Sequence, residues 1–235
     1  MVPVASVSLS RKAYHTELGP TLFNVYVSHI PDIVKCTSAE VPSYADDLTV
    51  LAVDDLPRCA IQNVSATLNI ISADLQANYL TLNMLKSCGM IISRDHASLE
   101  PTTCNGEALR TDSHTRLLGS EIDDQLSWEH QVRIMSSKIC KKIGALRRAK
   151  HHLSPRAKHL FLSSVILPYF DYACASFPIG LSSAARKRLA GLERRAVRTA
   201  CGAGYTDDCQ SLYDHLKVTS LEERWCAKLT ITAYQ

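Results

Sequence analysis

The residues best suited to chemistry are the adjacent carboxylates Asp46 and Asp47, within the tetrapeptide Tyr44-Ala45-Asp46-Asp47. Val41-Pro42 precedes it and Leu48-Thr49-Val50-Leu51-Ala52-Val53 follows, so two β-prone runs meet at the acids. This pattern predicts a tight hairpin with both aspartates at its tip. Adjacent carboxylates on a rigid turn can seat a hard divalent cation, because Mg2+ takes oxygen ligands and accepts shared carboxylates. The competing reading is a solvated turn, which Asp favours through hydrogen bonds to its own backbone. Asp54 and Asp55 are read as helix-start residues ahead of Pro57. His151, His152 and His159 have no cysteine or carboxylate at ligand spacing, so a structural zinc is not indicated.

Periodicity supplies the elements that must hold these residues. A helix is predicted over 20–30, with Leu22, Tyr26 and Ile30 on one face, Pro20 in its first turn and Pro31 as its stop. The hairpin covers about 41–53. A second helix runs to about Asn78, with Val64, Leu68, Ile71 and Leu75 inward. Short strands are predicted at 88–93, 107–110 and 115–123, with Asn105-Gly106 turning between the first two. The second half reads as helices. Val132, Met135, Ile139, Ile143 and Leu146 form a stripe over about 128–150, and Ser154-Pro155 starts a helix that ends or kinks at Pro168. Another begins near Ser182 or Ser183, turns Leu189, Leu192 and Ala196 inward, and closes at Gly202 and Gly204. Residues 1–16 show no periodicity. The fold class is α+β, with a small antiparallel sheet in a mixed piece that gives way to a helical piece near residue 127.

The 235 residues carry a net charge of +3, which hides a sharp division. Residues 1–132 hold 8 Lys/Arg against 16 Asp/Glu, residues 133–200 hold 15 against 2, and residues 201–235 hold 3 against 5. An acidic half bearing paired carboxylates, followed by a basic helical block, suits a protein that meets a polyanion. Lys138, Lys141, Lys142, Arg147, Arg148, Arg194 and Arg195 are the candidate nucleic-acid contacts, since the block lacks the i,i+4 acid partners of an ordinary solvated helix. The 9 cysteines are odd in number and form no Cys-x-x-Cys, which points to reduced, mostly buried thiols rather than a disulfide framework. No apolar run reaches membrane-spanning length and no signal peptide is evident, so a soluble intracellular protein with no membrane partner is expected.

Five segments, in order, carry a resemblance. They are Leu18-Gly19-Pro20-Thr21-Leu22-Phe23 continuing to Tyr26 and Ile30-Pro31, the Tyr44–Asp47 hairpin, Leu82-Asn83 with Lys86, Leu117-Leu118-Gly119 with Ile122-Asp123, and Val165–Ala173. The set, spanning about residues 17–223, resembles the reverse transcriptases of non-LTR retrotransposons. The resemblance implies a partial polymerase palm over 17–127 and a helical, basic thumb and connecting region over 128–235, after a divergent segment at 1–16. It implies RNA-directed DNA polymerase chemistry by two-metal nucleotidyl transfer. Asp46 would bind catalytic Mg2+, Asp47 would support the site, and Lys86 would stand near the incoming deoxynucleotide. Tyr44 would lie beneath the primer end, Ala45 would keep the turn close to nucleic acid, and Leu118-Gly119 would belong to a primer-grip strand. RNA template and DNA primer are the implied partners, and a nuclear location follows if the substrate is genomic DNA.

The chain departs from that pattern. The family usually reads close to G-V-P-Q-G-S-x before L-G-P, whereas this chain has Arg11-Lys12-Ala13-Tyr14-His15-Thr16-Glu17, with Tyr14 at the glutamine and His15 at a glycine. A third metal-binding aspartate is implied on a strand upstream of the first helix, and no Asp precedes Asp32. Glu17 stands at the helix entrance rather than on that strand. The expectation is an N-terminally truncated enzyme that does not polymerise DNA alone and could be completed by an upstream polymerase segment. The alternative is a catalytically dead remnant that binds nucleic acid through its basic helices.

Overall fold

Residues 2–8, 18–93, 100–174 and 176–234 are described by the computed structural model and divide into two units, Met1–Leu126 and Ser127–Gln235. The first unit begins with strand β1 (Val2–Ser8) and helices α1 (Gly19–Val27) and α2 (Ile30–Ile33). Strands β2 (Ala39–Glu40), β3 (Ser43–Tyr44) and β4 (Asp47–Ala52) lead to helix α3 (Pro57–Ala77). Strands β5 (Cys88–Ile92), β6 (Thr103–Cys104), β7 (Glu107–Ala108), β8 (Arg110–Thr111), β9 (His114–Leu117) and β10 (Ser120–Asp123) complete the unit. The main sheet has the order β2-β4-β1-β5-β8, with β3 paired to β4.

Alternation along β4 sets the layers. Leu48, Val50 and Ala52 are buried with the α3 stripe Val64, Leu68, Ile71 and Leu75, all at most 1% exposed. Each large aliphatic side chain removed from water in this way stabilises by roughly 2 kcal/mol. Asp47, Thr49 and Leu51 line a cleft on the other face, as a period of two requires. The β9–β10 hairpin meets the sheet through the Cys88 thiol, 3.0 Å from the Thr115 hydroxyl.

The second unit comprises α4 (Glu129–Ala149), α5 (Pro155–Phe161), a π-helical turn (Leu162–Ile166), α6 (Leu167–Asp171), α7 (Ser183–Cys201), α8 (Cys209–Leu216) and α9 (Leu221–Ala233). The stripe Val132, Met135, Ile139, Ile143 and Leu146 is buried, and α4 packs on α7. Ser154 and Ser182 cap their helices by accepting the amides of Ala157 and Ala185. Phe177 lies tilted against Trp128 and edge-on to Trp225, with ring centroids 6.2 and 5.5 Å apart. The helical run does not stop at Pro168 but continues through it to Asp171. Proline removes one amide donor, and the backbone widens into the π turn just ahead of it.

Several expectations are corrected. Residues 1–16 are not without regular structure, because Val2–Ser8 forms the central strand and pairs antiparallel with both β4 and β5. Only Val2, Val4 and Val7 among its seven residues are β-prone, and Pro3 interrupts them, so the segment does not stand out as a strand. The sheet is not wholly antiparallel, since β8 runs parallel to β5. The first helix breaks at Ser28-His29, Pro31 opens α2 instead of stopping α1, and the buried face is Phe23, Val27 and Ile30 while Leu22 is exposed. The α3 cap is Leu56, and Asp54 accepts the Leu56 amide in a turn before it. Asn105-Gly106 connects β6 to β7, both residues having positive φ. Residues 115–123 are two strands, with Leu118 (φ 46°) and Gly119 (φ 86°) as the turn, so glycine serves the left-handed backbone there and not a continuous strand. Glu193 takes the buried place expected of Leu192, which is only partly covered. All nine cysteines are free, but only Cys88, Cys104 and Cys174 are buried.

Candidate functional site

The hairpin places its carboxylates through one strained residue. Tyr44 pairs with Asp47 across β3 and β4, leaving Ala45 and Asp46 as a two-residue loop. Ala45 has φ 53°, in the left-handed region where a Cβ costs about 1 kcal/mol or more. Asp46 is exposed and Asp47 is half-buried at the start of β4. Burial raises the Asp47 pKa above the ordinary carboxylate value and the Asp46 charge adds to the rise, while the Lys86 ammonium opposes it. Lys86 itself is exposed on a turn whose amide donates to the Asn83 carbonyl at 3.0 Å. Tyr44, Asp47 and Leu118 line one largely apolar cleft of about 500 Å³ with Met90, Ile92 and Leu117. The cleft lining does not include Ala45, Asp46, Lys86 or Gly119, and Tyr14, His15 and Glu17 lie outside the described residues.

Asp46 and Asp47 are the residues that would hold a hard cation such as Mg2+, and two carboxylates alone would leave it weakly held and largely hydrated. They do not fit a two-metal centre, which requires further carboxylates to fix both ions in line with the reacting groups. Among the described residues no three His, Cys, Asp or Glu side chains gather as ligands. The strand beside the hairpin puts Ser8 at the register position opposite Asp47, and Val2–Ser8 contains no carboxylate.

The basic candidates separate. Arg147, Arg194 and Arg195 line a second cleft of about 540 Å³ together with Lys150, Arg198, Thr199 and Tyr205. Lys138 and Lys141 are exposed on α4, Lys142 is partly covered, and none of the three lines that cleft. Arg148 lies back along its own helix, its guanidinium near Gly144. Lys150, Arg198 and Tyr205 were not foreseen, although a Gly-x-Gly-Tyr sequence directly after a basic helix was a readable sign.

A buried polar cluster was also missed. Glu193, 1% exposed, accepts Tyr213 Oη at 2.9 Å, the Leu221 amide at 2.9 Å and Arg224 Nη1 at 2.6 Å. Arg224 Nε donates to Asp171 at 3.1 Å. Burial works against the Arg224 charge, but Glu193 and Asp171 more than offset it and its pKa rises. Burial also drives the Tyr213 phenol upward, reinforced by the Glu193 charge. Asp171 and Glu193 are the two acids of the 133–200 block, and both turn to Arg224, which lies outside that block.

No helix among the described residues is long and apolar enough to cross a membrane. No protein-family model matches the chain. It is 21% identical over 215 residues to the RNA-directed DNA polymerase from mobile element jockey of Drosophila melanogaster. The alignment covers 88% of this chain and 23% of that protein, so the chain spans about a quarter of its relative's length. The chain is thus distantly similar to a reverse transcriptase of a mobile element.

Proposed function

We propose that this chain is a nucleic-acid-binding part of a reverse transcriptase of the non-LTR retrotransposon type, carrying one portion of an RNA-directed DNA polymerase centre. In this reading the first unit corresponds to part of the palm and the second to the thumb and connecting region. The observation that carries it is the two-residue turn that sets Asp46 next to Asp47, which lines a cleft shared with Tyr44 and Leu118. Order of motifs and distant similarity to a mobile-element polymerase support the same reading. RNA template, DNA primer and deoxynucleotides are the proposed partners of the complete enzyme.

This chain alone is proposed to bind nucleic acid without extending a primer. Its paired aspartates can attract a divalent cation, and the Lys86 charge beside them can steady a phosphate. Neither supplies the second set of carboxylates that in-line transfer needs. Losing a positioned ligand costs several kcal/mol of transition-state stabilisation, roughly a thousandfold or more in rate. The test is primer extension on an RNA template by the purified chain with Mg2+ and deoxynucleotides, beside Asp46→Ala. The expected result is no extension by either protein, with nucleic-acid binding retained by both. Extension that disappears in Asp46→Ala would show a complete centre and overturn the incomplete-site reading. A non-catalytic binding remnant is the second reading, favoured by the absence of a carboxylate on Val2–Ser8.

A further inference from the structure

We propose that the cleft between the C-terminal halves of α4 and α7 is a single-stranded nucleic-acid site that holds a backbone phosphate on its cations and stacks one base on Tyr205. This rests on the nucleic-acid-binding reading and goes beyond it by naming the strand state and the contact. Arg147 and Lys150 face Arg194, Arg195 and Arg198 across a space of about 540 Å³, within the range that receives a nucleotide-sized ligand. A helix C-terminus carries about half a negative charge, so two termini account for roughly one cation. Five converge here. Among the described residues, none of them pairs with a carboxylate, because Asp171 and Glu193 are committed to Arg224.

The loop after α7 is built to present an aromatic ring. Gly202 (φ 72°) ends the helix in the left-handed region, and the Ala203 amide returns to the Arg198 carbonyl at 3.0 Å. Arg198 donates to the Asp207 carbonyl at 3.0 and 3.3 Å, and the Asp207 carboxylate accepts the Gly204 amide at 2.7 Å. Asp207 and the helix-capping Asp208 are the acids near the cleft, and both are occupied by these backbone bonds. Tyr205 stands 90% exposed, with the Arg198 guanidinium 5.6 Å from its ring centroid. An ordered, solvent-facing tyrosine beside a cationic groove is the arrangement that stacks unpaired bases, whereas a duplex keeps its base faces inside.

The test uses the full chain with a fluorescein-labelled oligouridine strand and a hairpin duplex of equal phosphate count. Tyr205→Leu is expected to weaken oligouridine binding about tenfold, to leave the salt slope and duplex binding unchanged, and Tyr205→Phe to restore affinity. Arg194→Gln with Arg195→Gln is expected to weaken both ligands and flatten both salt slopes. A 5-iodouridine strand should photocrosslink to Tyr205. Wild-type affinity in Tyr205→Leu, or crosslinks only elsewhere, overturns the stacking site while leaving general nucleic-acid binding intact. Absence of binding to either ligand at low salt overturns the nucleic-acid reading itself, and this proposal with it.

Discussion

Two acidic sites in this molecule are handled in opposite ways. At the hairpin tip Asp46 and Asp47 stand side by side, and among the described residues neither forms an ion pair. Their turn passes through an alanine at φ 53°, and burial, with the Asp46 charge adding to it, raises the Asp47 pKa. In the helical unit Glu193 is deeply buried, yet a phenol, an amide and a guanidinium meet it. The buried acid is the satisfied one. Glu193 therefore reads as architecture, tying α7, α8 and α9 together. The hairpin tip instead sets two adjacent carboxylates on a backbone with a left-handed alanine, and only the nearby Lys86 charge opposes their repulsion.

The sharpest way to break this contrast is to remove one partner at each site. Arg224→Met leaves the Glu193 carboxylate buried without its cation and should cost about 3–5 kcal/mol in urea unfolding. Asp46→Ala should change stability by less than about 0.5 kcal/mol. Glu193→Leu combined with Arg224→Met should recover most of the loss, and failure to recover would mean packing, not charge, sets the cost.

Tyr213→Phe comes next, with an expected loss of about 1.5–3 kcal/mol because the acceptor is charged. It also carries a pH signature. The Tyr213 pKa lies above its unfolded value of about 10, so the fold keeps a proton that the unfolded chain has lost. The associated stability is complete below about pH 10 and falls as pH rises beyond it. Stability measured from pH 8 to 11 should decline less steeply in Tyr213→Phe, and identical slopes would detach the phenol from the cluster.

Two smaller effects probe the hairpin. Ala45→Gly should stabilise the first unit by up to about 1 kcal/mol and Ala45→Val should destabilise it, since only glycine takes positive φ freely. Asp47→Asn should stabilise by about 0.5 kcal/mol or less at pH 7, after allowance for solvent screening. The Asp47 pKa is raised, so its charge opposes folding above the folded pKa, and that penalty fades as pH falls through the folded pKa and is gone below the unfolded value near 3.9. The difference between the two proteins should vanish at pH 3, and a difference that persists there would assign the effect to hydrogen bonding.

What could be read in advance followed local rules. The α3 stripe, the α4 stripe, the Ser154 cap and the helix start near Ser182 each depend on spacing within a few turns of helix, and all appear as read. The hairpin turn at Ala45-Asp46 was legible for the same reason. Glu193 was not, because its partners Tyr213, Leu221 and Arg224 come from two later helices and an acid among arginines reads as surface. Leu118-Gly119 looked like strand interior because Leu117 precedes it and no Asn, Asp or Pro stands beside it, and only the pair of positive φ values identifies the turn. The basic block was visible as composition, but which cations converge depended on how α4 packs on α7.

The central position of β1 also governs the order in which the chain acquires structure. Its partners are remote, with Ser8 meeting Asp47 and Val2 meeting Ile92, so long loops must close before its hydrogen bonds form. The helices of the second unit need only nearby residues and can form early, while the sheet waits for its middle strand. During that delay β4 and β5 each expose an unpaired edge, open to the same strand from another molecule. Refolding from denaturant should therefore lose yield as protein concentration rises. Synthesis from the N-terminus meets the same requirement differently, since β1 emerges first and is already present when β4 and β5 follow.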